Sequence, residues 1–308
     1  MCEFMKALVV GYGSIGKRHA RILNELGIQV GIVSRRSLDY KPTFNSIELA
    51  IKNFSPNIIV IANETSKHLE TLNLIKETNY EGIILIEKPL FQSLNITSFD
   101  SKNIFVGYNL RFHPLLQKLK TEVKNQKVIS CNVYVGQYLP TWRPSADYRK
   151  TYSASKMLGG GVLRDLSHEL DYIQWIFGSW KRLISLGGKY STLEIESEDS
   201  YSLLTETELC PLITIEMNYL DKICQRFMIV NTEDYTYKID FINGTFQKNS
   251  EIQHLKVSRD ETYRRQHLAI INKNFNQLCT FEEGLSVIKM IESIEKSNKE
   301  KGWIYNAE

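Results

Sequence analysis

Cysteine is scarce in this sequence, and its cysteines follow no metal-binding or disulfide pattern. The 308 residues include five cysteines, which is an odd number, and no two of them form a CxxC pair. The six histidines show neither an HxH nor an HExxH spacing. These absences argue against a disulfide framework and a zinc site, and therefore against metal-dependent alcohol dehydrogenase chemistry.

Long apolar runs and an excess of one charge are also missing. No run approaches the roughly 18 apolar residues of a membrane span, and no basic region followed by a long apolar stretch begins the chain. The net charge is only +3, and the basic residues are spread along the sequence. We therefore expect neither a nucleic-acid nor a membrane partner, and a cytoplasmic location. An apolar content of 43% over this length is enough for two globular domains.

The beginning of the chain carries a glycine pattern typical of dinucleotide binding. An apolar run at 7–10 leads directly into GYGSIG at 11–16, and a helical pattern follows. In such a turn one glycine allows the bend, the next lets the backbone approach a pyrophosphate, and the third allows close packing of helix and strand. The candidate cofactor-binding residues here are Gly11, Gly13, Ser14, Ile15 and Gly16. The alternative is a glycine turn with a purely structural role.

Strand-like and helical segments alternate over the first third of the chain. Apolar strands are predicted at 6–10, 28–33, 57–62, 82–86 and 103–107, with clear helices at 18–26 and 66–78. The apolar strands are typical of a parallel sheet covered on both faces. The pattern predicts a Rossmann domain over residues 1–111.

After residue 111 the pattern changes to longer strands rich in tyrosine and β-branched residues. A helix is predicted near 113–124, and strands are predicted at 128–138, 182–188, 200–206, 211–219, 225–231 and 235–240. A single amphipathic helix is predicted over 163–177, with further helices near 263–278 and 282–296. The fold class is thus α/β followed by α+β. We expect residues 112–308 to form a mainly antiparallel, open-sheet domain that binds substrate and mediates oligomerisation.

The residues after the second strand bear on the choice of nicotinamide cofactor. NAD-binding domains place an acid there, which binds the ribose 2′-hydroxyl. Here the strand ends in Ser34-Arg35-Arg36, and the nearest acid is Asp39. A hydroxyl and guanidinium groups suit a 2′-phosphate, so NADP(H) is preferred, while NAD(H) remains possible. Alternatively, the arginines are simply solvated turn residues.

Five motifs along the chain occur in a fixed order. They are GYGSIGKRH at 11–19, IANETSKH at 61–68, EKP at 87–89, GYNLRFHP at 107–114 and GGGVLRDLSHELD at 159–171. Together they resemble the glucose–fructose oxidoreductase/inositol dehydrogenase (Gfo/Idh/MocA) family of nicotinamide-dependent oxidoreductases. The resemblance covers essentially the whole chain.

The resemblance implies a catalytic set made of Lys88, His168 and Asp165. Lys88 is expected to polarise the reacting carbonyl or hydroxyl, His168 to act as general acid and base, and Asp165 to orient the histidine. Hydride transfer at an alcohol carbon needs such a proton relay at the oxygen. The structural alternatives are a buried histidine, a lysine at a strand end, and an acid at a helix start. The same resemblance adds Asn63, His68, Glu87 and Lys88 to the cofactor site.

One departure from the family concerns the spacing between the aspartate and the histidine. The family spacing is four residues, whereas Asp165 and His168 are three apart. Both spacings keep two residues on one face of a continuous helix. Counting from Gly161 favours Asp165 as the counterpart, although Arg164 could occupy that place instead.

The loop before the glycine run is expected to contact substrate. Aromatic rings can stack on a sugar, and arginines can hold a carboxylate or phosphate. The candidate substrate-binding residues are Arg111, Tyr138, Trp142, Arg143, Tyr148 and Arg164. The alternative is an aromatic loop that packs between subunits.

These expectations combine into an NADP(H)-dependent oxidoreductase acting on a sugar. We expect an anionic or nucleotide-activated sugar from a surface-glycan pathway, and a homodimer or homotetramer. Two alternatives remain, namely a non-catalytic NADP-binding regulator and a redox-neutral epimerase or lyase with tightly bound cofactor.

Overall fold

The computed structural model describes residues 5–94, 101–144 and 146–306. The chain divides into two compact units. The first comprises Met1–Phe112 and Arg259–Leu285, and the second comprises His113–Ser258 and Ser286–Glu308. Each unit has its own sheet.

The first unit contains a seven-stranded sheet. Its strands are β1 Lys6–Val10, β2 Gln29–Val33, β3 Thr43–Phe44, β4 Ile58–Ile61, β5 Ile83–Ile86, β6 Ile104–Val106 and β15 Cys279–Thr280. The order β3-β2-β1-β4-β5-β6 is parallel throughout and is that of a Rossmann domain, with β15 added antiparallel at the β6 edge. The predicted fold class is confirmed for this unit.

Three helices of the first unit connect its parallel strands. They are α1 Ser14–Glu25, α2 Ile47–Phe54 and α3 His68–Glu77. The strands β1, β4 and β5 are buried along nearly all of their length, which explains their continuous apolar sequences. The helix α1 begins four residues before the prediction, because the glycine turn itself opens the helix.

The chain returns to the first unit after residue 258, a feature that the sequence-based division at residue 111 does not contain. The helix α7 (Glu261–Ile271) packs on α1 and on the short helical turn at 109–112, and β15 pairs with β6. The helix α7 ends at Ile271 rather than near 278. Lys273 there has a φ of +53°, and Asn274 N–H donates to the carbonyl of Ala269, which closes the helix.

The second unit contains a nine-stranded sheet. Its strands are β7 Val128–Gly136, β8 Trp180–Gly188, β9 Ser200–Thr207, β10 Ile213–Asn218, β11 Gln225–Thr232, β12 Thr236–Asp240, β13 Thr245–Lys248, β14 Glu251–His254 and β16 Ile304–Tyr305. Their order is β14-β13-β12-β11-β7-β10-β9-β8-β16. The pair β7–β10 is parallel, and the other pairs are antiparallel. The predicted mainly antiparallel sheet is therefore confirmed.

One face of this sheet is covered by helices, and the other is open. The helices are α4 Pro114–Val123, α5 Val162–Asp165, α6 His168–Phe177 and α8 Phe281–Glu300, of which residues 286–300 belong to this unit. Ser185 of β8 fixes α8 by donating its hydroxyl to the carbonyl of Ile294 at 2.7 Å. Burial alternates along β9 and β10, as expected for a sheet with one packed face. Within the described ranges, no helix is both long and apolar enough to cross a membrane.

Candidate functional site

The glycine turn of the first unit has the geometry that its sequence predicts. Gly11 has a φ of +95°, and a Cβ there would lie 2.7 Å from the backbone nitrogen of Asn63. A Cβ on Gly16 would lie 2.1 Å from the carbonyl oxygen of Gly11, so helix and turn touch. At Gly13, by contrast, a Cβ would meet nothing within 4 Å. Two glycines are thus required by the protein itself, and the third faces open space.

The start of α1 is suited to an anion. Its N-cap residue Gly13 supplies no side-chain hydrogen bond, and no acidic residue occupies the first turn. Ser14 is exposed and Ile15 half-buried, so the first backbone N–H groups are not covered by a side-chain cap. Such a helix end carries partial positive charge. The turn therefore fits the pyrophosphate of a dinucleotide.

The end of β2 is polar and positively charged. The Ser34 hydroxyl accepts a hydrogen bond from the backbone N–H of Arg36 at 3.0 Å, and the Arg35 and Arg36 side chains are exposed. Within the described part of the chain, neither arginine has a carboxylate partner. Nearby, the rings of Tyr12 and Tyr40 lie 5.6 Å apart.

The EKP motif follows β5 as a partly buried turn. The Glu87 side chain is buried, and its Oε1 lies 2.8 Å from His19 Nε2. Its Oε2 accepts from the backbone N–H of Lys88 at 3.2 Å. Lys88 itself is half-buried. The turn thus places the buried Glu87 carboxylate next to Lys88, whose side chain retains access to solvent.

In the sequence, Asn63 and His68 lie between the glycine turn and the EKP turn. The Asn63 amide donates to the Thr71 hydroxyl at 2.7 Å. His68 is buried, and its Nδ1 lies 3.0 Å from the carbonyl oxygen of Leu90. Burial lowers the pKa of His68. The structure therefore gives His68 the role of holding the main chain after EKP, rather than a solvent-facing position.

The helix predicted over 163–177 is two helices in the structure. α5 ends at Asp165, and α6 begins at His168, with a turn at Leu166 and Ser167 between them. Leu166 has a φ of −100° and a ψ of 24°, which leaves the helical geometry. The three-residue spacing is thus accommodated by this turn, and the expectation of one continuous helix face is wrong.

Asp165 is held by the buried Tyr219. The Tyr219 hydroxyl donates to its Oδ2 at 2.6 Å, and both residues are buried. Burial, together with the negative charge of Asp165, raises the pKa of Tyr219 well above its usual range, and the same causes act on Tyr152. Both hydroxyls therefore remain donors. His168 is half-buried at the first position of α6.

Two of the arginines predicted to bind substrate are occupied internally. Arg111 is buried, and its guanidinium donates to Glu283 at 2.8 Å. Arg164 is also buried, and it donates to both carboxylate oxygens of Glu295, at 2.7 and 3.3 Å. These contacts assign both arginines to ion pairs within their own units. The sequence around each arginine does not reveal these ion pairs, because the acidic partners lie more than 130 positions away.

Two residues of the predicted substrate loop pack against tyrosines elsewhere in the second unit. The Trp142 ring meets Tyr219 edge to face at 5.2 Å, and Arg143 lies 5.4 Å from the Tyr152 ring. The exposed Arg143 and the half-buried Trp142 are therefore next to the tyrosines that surround Asp165.

The remaining loop tyrosines also have partners. Lys222 Nζ lies 2.8 Å from the centre of the Tyr138 ring, and the Tyr148 hydroxyl accepts from the backbone N–H of Glu194 at 3.3 Å. Sequence reasoning missed Lys222, Tyr219 and Tyr152. The first two follow β10, about 80 positions after the loop, and no local motif marks them.

Comparison with solved structures identifies the fold. A levoglucosan dehydrogenase in complex with NADH and levoglucosan superposes with a TM-score of 0.83 at 13% identity, covering 99% of this chain and 100% of that chain. The chain has the fold of the Gfo/Idh/MocA dehydrogenases. A myo-inositol 2-dehydrogenase from Lactobacillus plantarum gives a TM-score of 0.80 at 16% identity, with 99% and 100% coverage. The WlbA dehydrogenase from Bordetella pertussis, in complex with NADH and UDP-GlcNAcA, gives 0.77 at 16% identity, again with 99% and 100% coverage.

Sequence comparison alone gives weaker evidence of relationship than the comparison of structures does. No family model matches the chain. An uncharacterised oxidoreductase from Bacillus subtilis strain 168, YrbE, is 25% identical over 190 residues, which are 56% of this chain and 53% of that protein. The match thus spans about half the length of the curated relative. The resemblance inferred from the five motifs is therefore confirmed at the level of the fold.

Proposed function

We propose that this protein is a nicotinamide-dependent oxidoreductase that transfers hydride between its cofactor and a hydroxyl or carbonyl carbon of a sugar. The observation that carries the proposal is the glycine turn, in which Gly13 faces open space while Gly11 and Gly16 have no room for a side chain. Similarity over the full chain to dehydrogenases solved with NADH supports it.

The cofactor is held by the first unit. The N–H groups at the start of α1 bind its pyrophosphate, with Ser14 and Ile15 in the first turn. Ser34, Arg35 and Arg36 give NADP(H) the preference over NAD(H), because two exposed guanidinium groups attract a 2′-phosphate and no acid occupies the end of β2. Asn63 and the EKP turn complete the cofactor-binding residues.

Lys88, His168 and Asp165 have separate roles in the reaction. When bound, the nicotinamide accepts or donates the hydride. Lys88 stabilises negative charge that develops on the substrate oxygen. His168 takes the hydroxyl proton during oxidation and returns it during reduction. Asp165 orients this histidine and is itself fixed by Tyr219.

The substrate is an anionic or nucleotide-activated sugar. Arg111 and Arg164 form internal ion pairs. We therefore assign recognition of the anion to the exposed Arg143 and to Lys222. Trp142 and Tyr138 supply ring faces for the sugar. The UDP-GlcNAcA bound to WlbA is a nucleotide-activated sugar, which supports this choice.

The open face of the second sheet supports a homodimer or homotetramer. Large apolar side chains are exposed on the strands and connections of this unit, among them Leu186, Ile223 and Ile252. Apolar surface of this kind is commonly covered by a second copy of the chain.

A fluorescence titration tests the cofactor assignment. The cofactor-stripped protein is titrated with NADPH and NADH, following quenching of its four tryptophans. We expect tighter binding of NADPH, and a shift toward NADH in Ser34→Asp. The control is Ser250→Asp, which makes the same change at an exposed position after β13. Absence of binding by either nucleotide contradicts the oxidoreductase proposal.

Turnover then separates the proposal from its alternatives. Acidic and nucleotide-activated sugars are screened by the change in NADPH absorbance. A regulator binds NADPH without turning over any sugar. A redox-neutral enzyme converts the sugar, shows no net absorbance change, and retains its cofactor through purification.

A further inference from the structure

A chain of three buried side chains crosses the first unit and ends at the EKP turn. Glu87 Oε1 lies 2.8 Å from His19 Nε2, and His19 Nδ1 lies 2.8 Å from His267 Nε2. Both histidines are 0% exposed, and Glu87 is 7% exposed. The three residues come from α1, from the end of β5 and from α7. The chain therefore connects the returning segment at 259–285 to the residue before Lys88.

The hydrogen bonds orient the two histidine rings. Glu87 can only accept, so His19 donates to it from Nε2. Burial lowers the pKa of His267 well below its ordinary value, so this ring is neutral and has one N–H and one lone pair. The contact between His19 Nδ1 and His267 Nε2, at 2.8 Å, then holds one proton between the two rings and ties their orientations together. Each group in the chain therefore fixes the orientation of the next one.

Glu87 needs this support because a buried carboxylate is costly without partners. A Cβ on Gly107 would lie 2.8 Å from Glu87 Oε1, so the backbone encloses the carboxylate closely. Its second oxygen, Oε2, accepts from the backbone N–H of Lys88. A carboxylate that His19 keeps in place thus fixes the main chain of the residue that is proposed to act on the substrate oxygen.

We propose that His19 and His267 are positioning residues for Lys88, acting through Glu87. The inference rests on the proposed function for its effect on turnover, but not for the coupling between the three side chains. His267 touches neither Lys88 nor Glu87 in the hydrogen-bonded chain, so its influence passes through His19. The segment around α7 therefore contributes to the chemistry without supplying a catalytic residue.

Nuclear magnetic resonance tests the coupling without any turnover. The full-length protein, labelled with ¹⁵N at histidine, is examined by imidazole ¹⁵N–¹H correlation. We expect His19 and His267 each to show one fixed tautomer. Glu87→Gln should shift the ring resonances of both, because the hydrogen bond of His267 reaches Glu87 through His19. A change confined to His19 overturns the chain.

Kinetics test the positioning role. His267→Phe removes the Nε2 hydrogen bond, and we expect it to lower kcat about 10-fold to 100-fold, as small misplacements of reacting groups do. KM for the sugar and Kd for NADPH should change less than about twofold, as expected when only the reacting group is displaced. His267→Gln keeps an N–H near the Nε2 position and should recover most of kcat. His254→Gln, at an exposed histidine on β14, is the control.

The two failures are distinguishable. An unchanged kcat in His267→Phe, or an equal loss in His267→Phe and His267→Gln, overturns the positioning role. Should the wild-type protein bind NADPH but convert no sugar, the proposed function fails, while the resonance shifts in Glu87→Gln still decide whether the chain is coupled.

Discussion

The Tyr219 hydroxyl donates a hydrogen bond to Asp165 Oδ2 at 2.6 Å, and both side chains are buried. Removing this donor by Tyr219→Phe leaves one carboxylate oxygen without that bond. We expect the free energy of unfolding to fall by about 1.5–3 kcal/mol, the usual worth of a hydrogen bond to a charged group. We also expect kcat to fall with little change in KM, because Asp165 orients His168 in the proposed mechanism. Urea unfolding and steady-state kinetics measure the two effects.

A matched control comes from the same sheet. Tyr201 on β9 is also a buried tyrosine, but its hydroxyl is associated with Asn298. Tyr201→Phe should lower stability without affecting kcat. Equal kinetic effects of Tyr201→Phe and Tyr219→Phe would remove Tyr219 from the site.

The glycine turn allows a paired test of binding against folding. Gly16→Ala places a Cβ 2.1 Å from the Gly11 carbonyl, and we expect it to destabilise the protein by about 3 kcal/mol, the upper end for overpacking. Gly13→Ala meets no atom of the protein within 4 Å, so it should cost less than about 1 kcal/mol, the effect of an Ala at an N-cap. Its methyl group should raise Kd for NADPH about tenfold, because it fills the space that the phosphates approach. Thermal unfolding and fluorescence titration are the two measurements. Normal NADPH affinity in Gly13→Ala contradicts a phosphate site at this turn.

The two kinds of arginine in the second unit should respond differently to mutation. Arg164→Met breaks a buried ion pair and leaves Glu295 without its partner, which should cost about 3 kcal/mol of stability. Arg143→Met changes an exposed residue, so stability should move by less than about 0.5 kcal/mol, while KM for an anionic sugar rises. A raised KM in a fully stable Arg164→Met protein would return Arg164 to the substrate site.

Two buried histidines make stability depend on pH. Burial lowers the pKa of His68 and, more strongly, that of His267. Their stabilising contribution is complete above their ordinary pKa near 6.5. It is lost as the pH falls below that value, because the unfolded chain then binds more protons than the folded protein does. We expect each group to add a slope of up to about 1.4 kcal/mol per pH unit in that window.

The variant His267→Gln isolates the contribution of His267 to this pH dependence. Glu198, whose pKa burial raises, acts in the opposite direction at low pH, so the wild type alone is not informative. The difference in free energy of unfolding between wild type and His267→Gln is therefore measured by urea unfolding from pH 8 to pH 5. As the pH falls, the free energy of unfolding of the wild type should decrease relative to that of His267→Gln. A difference independent of pH contradicts a buried neutral His267.

Local sequence was sufficient where structure is set by neighbouring residues. The glycine turn and the apolar strands β1, β4 and β5 were predicted almost to the residue, because periodicity and glycine chemistry act over a few positions. The hairpin between β12 and β13 follows the same local chemistry, because its Asn243-Gly244 turn gives Gly244 a φ of +66°.

Predictions failed where the deciding partner is distant in sequence. Arg164 has the same local signature as an arginine that binds substrate, and only the packing of α8 brings Glu295 beside it. The turn at Leu166 and Ser167 lies in an amphipathic pattern that reads as one helix. Tertiary contacts override local preference at such positions.

The first unit is built from two separate stretches of chain, and this fixes the order in which the protein is completed. During synthesis, the strands β7 to β14 are all made before α7 and β15. Until then the nascent Rossmann sheet keeps an unpaired β6 edge, Phe105 lacks the ring of Phe275, and His19 lacks His267. A fragment ending at Phe112 would share these exposed surfaces permanently. Translation must therefore reach residue 285 before the nucleotide-binding half can reach its final stability, although its signature glycines are made before the whole second sheet.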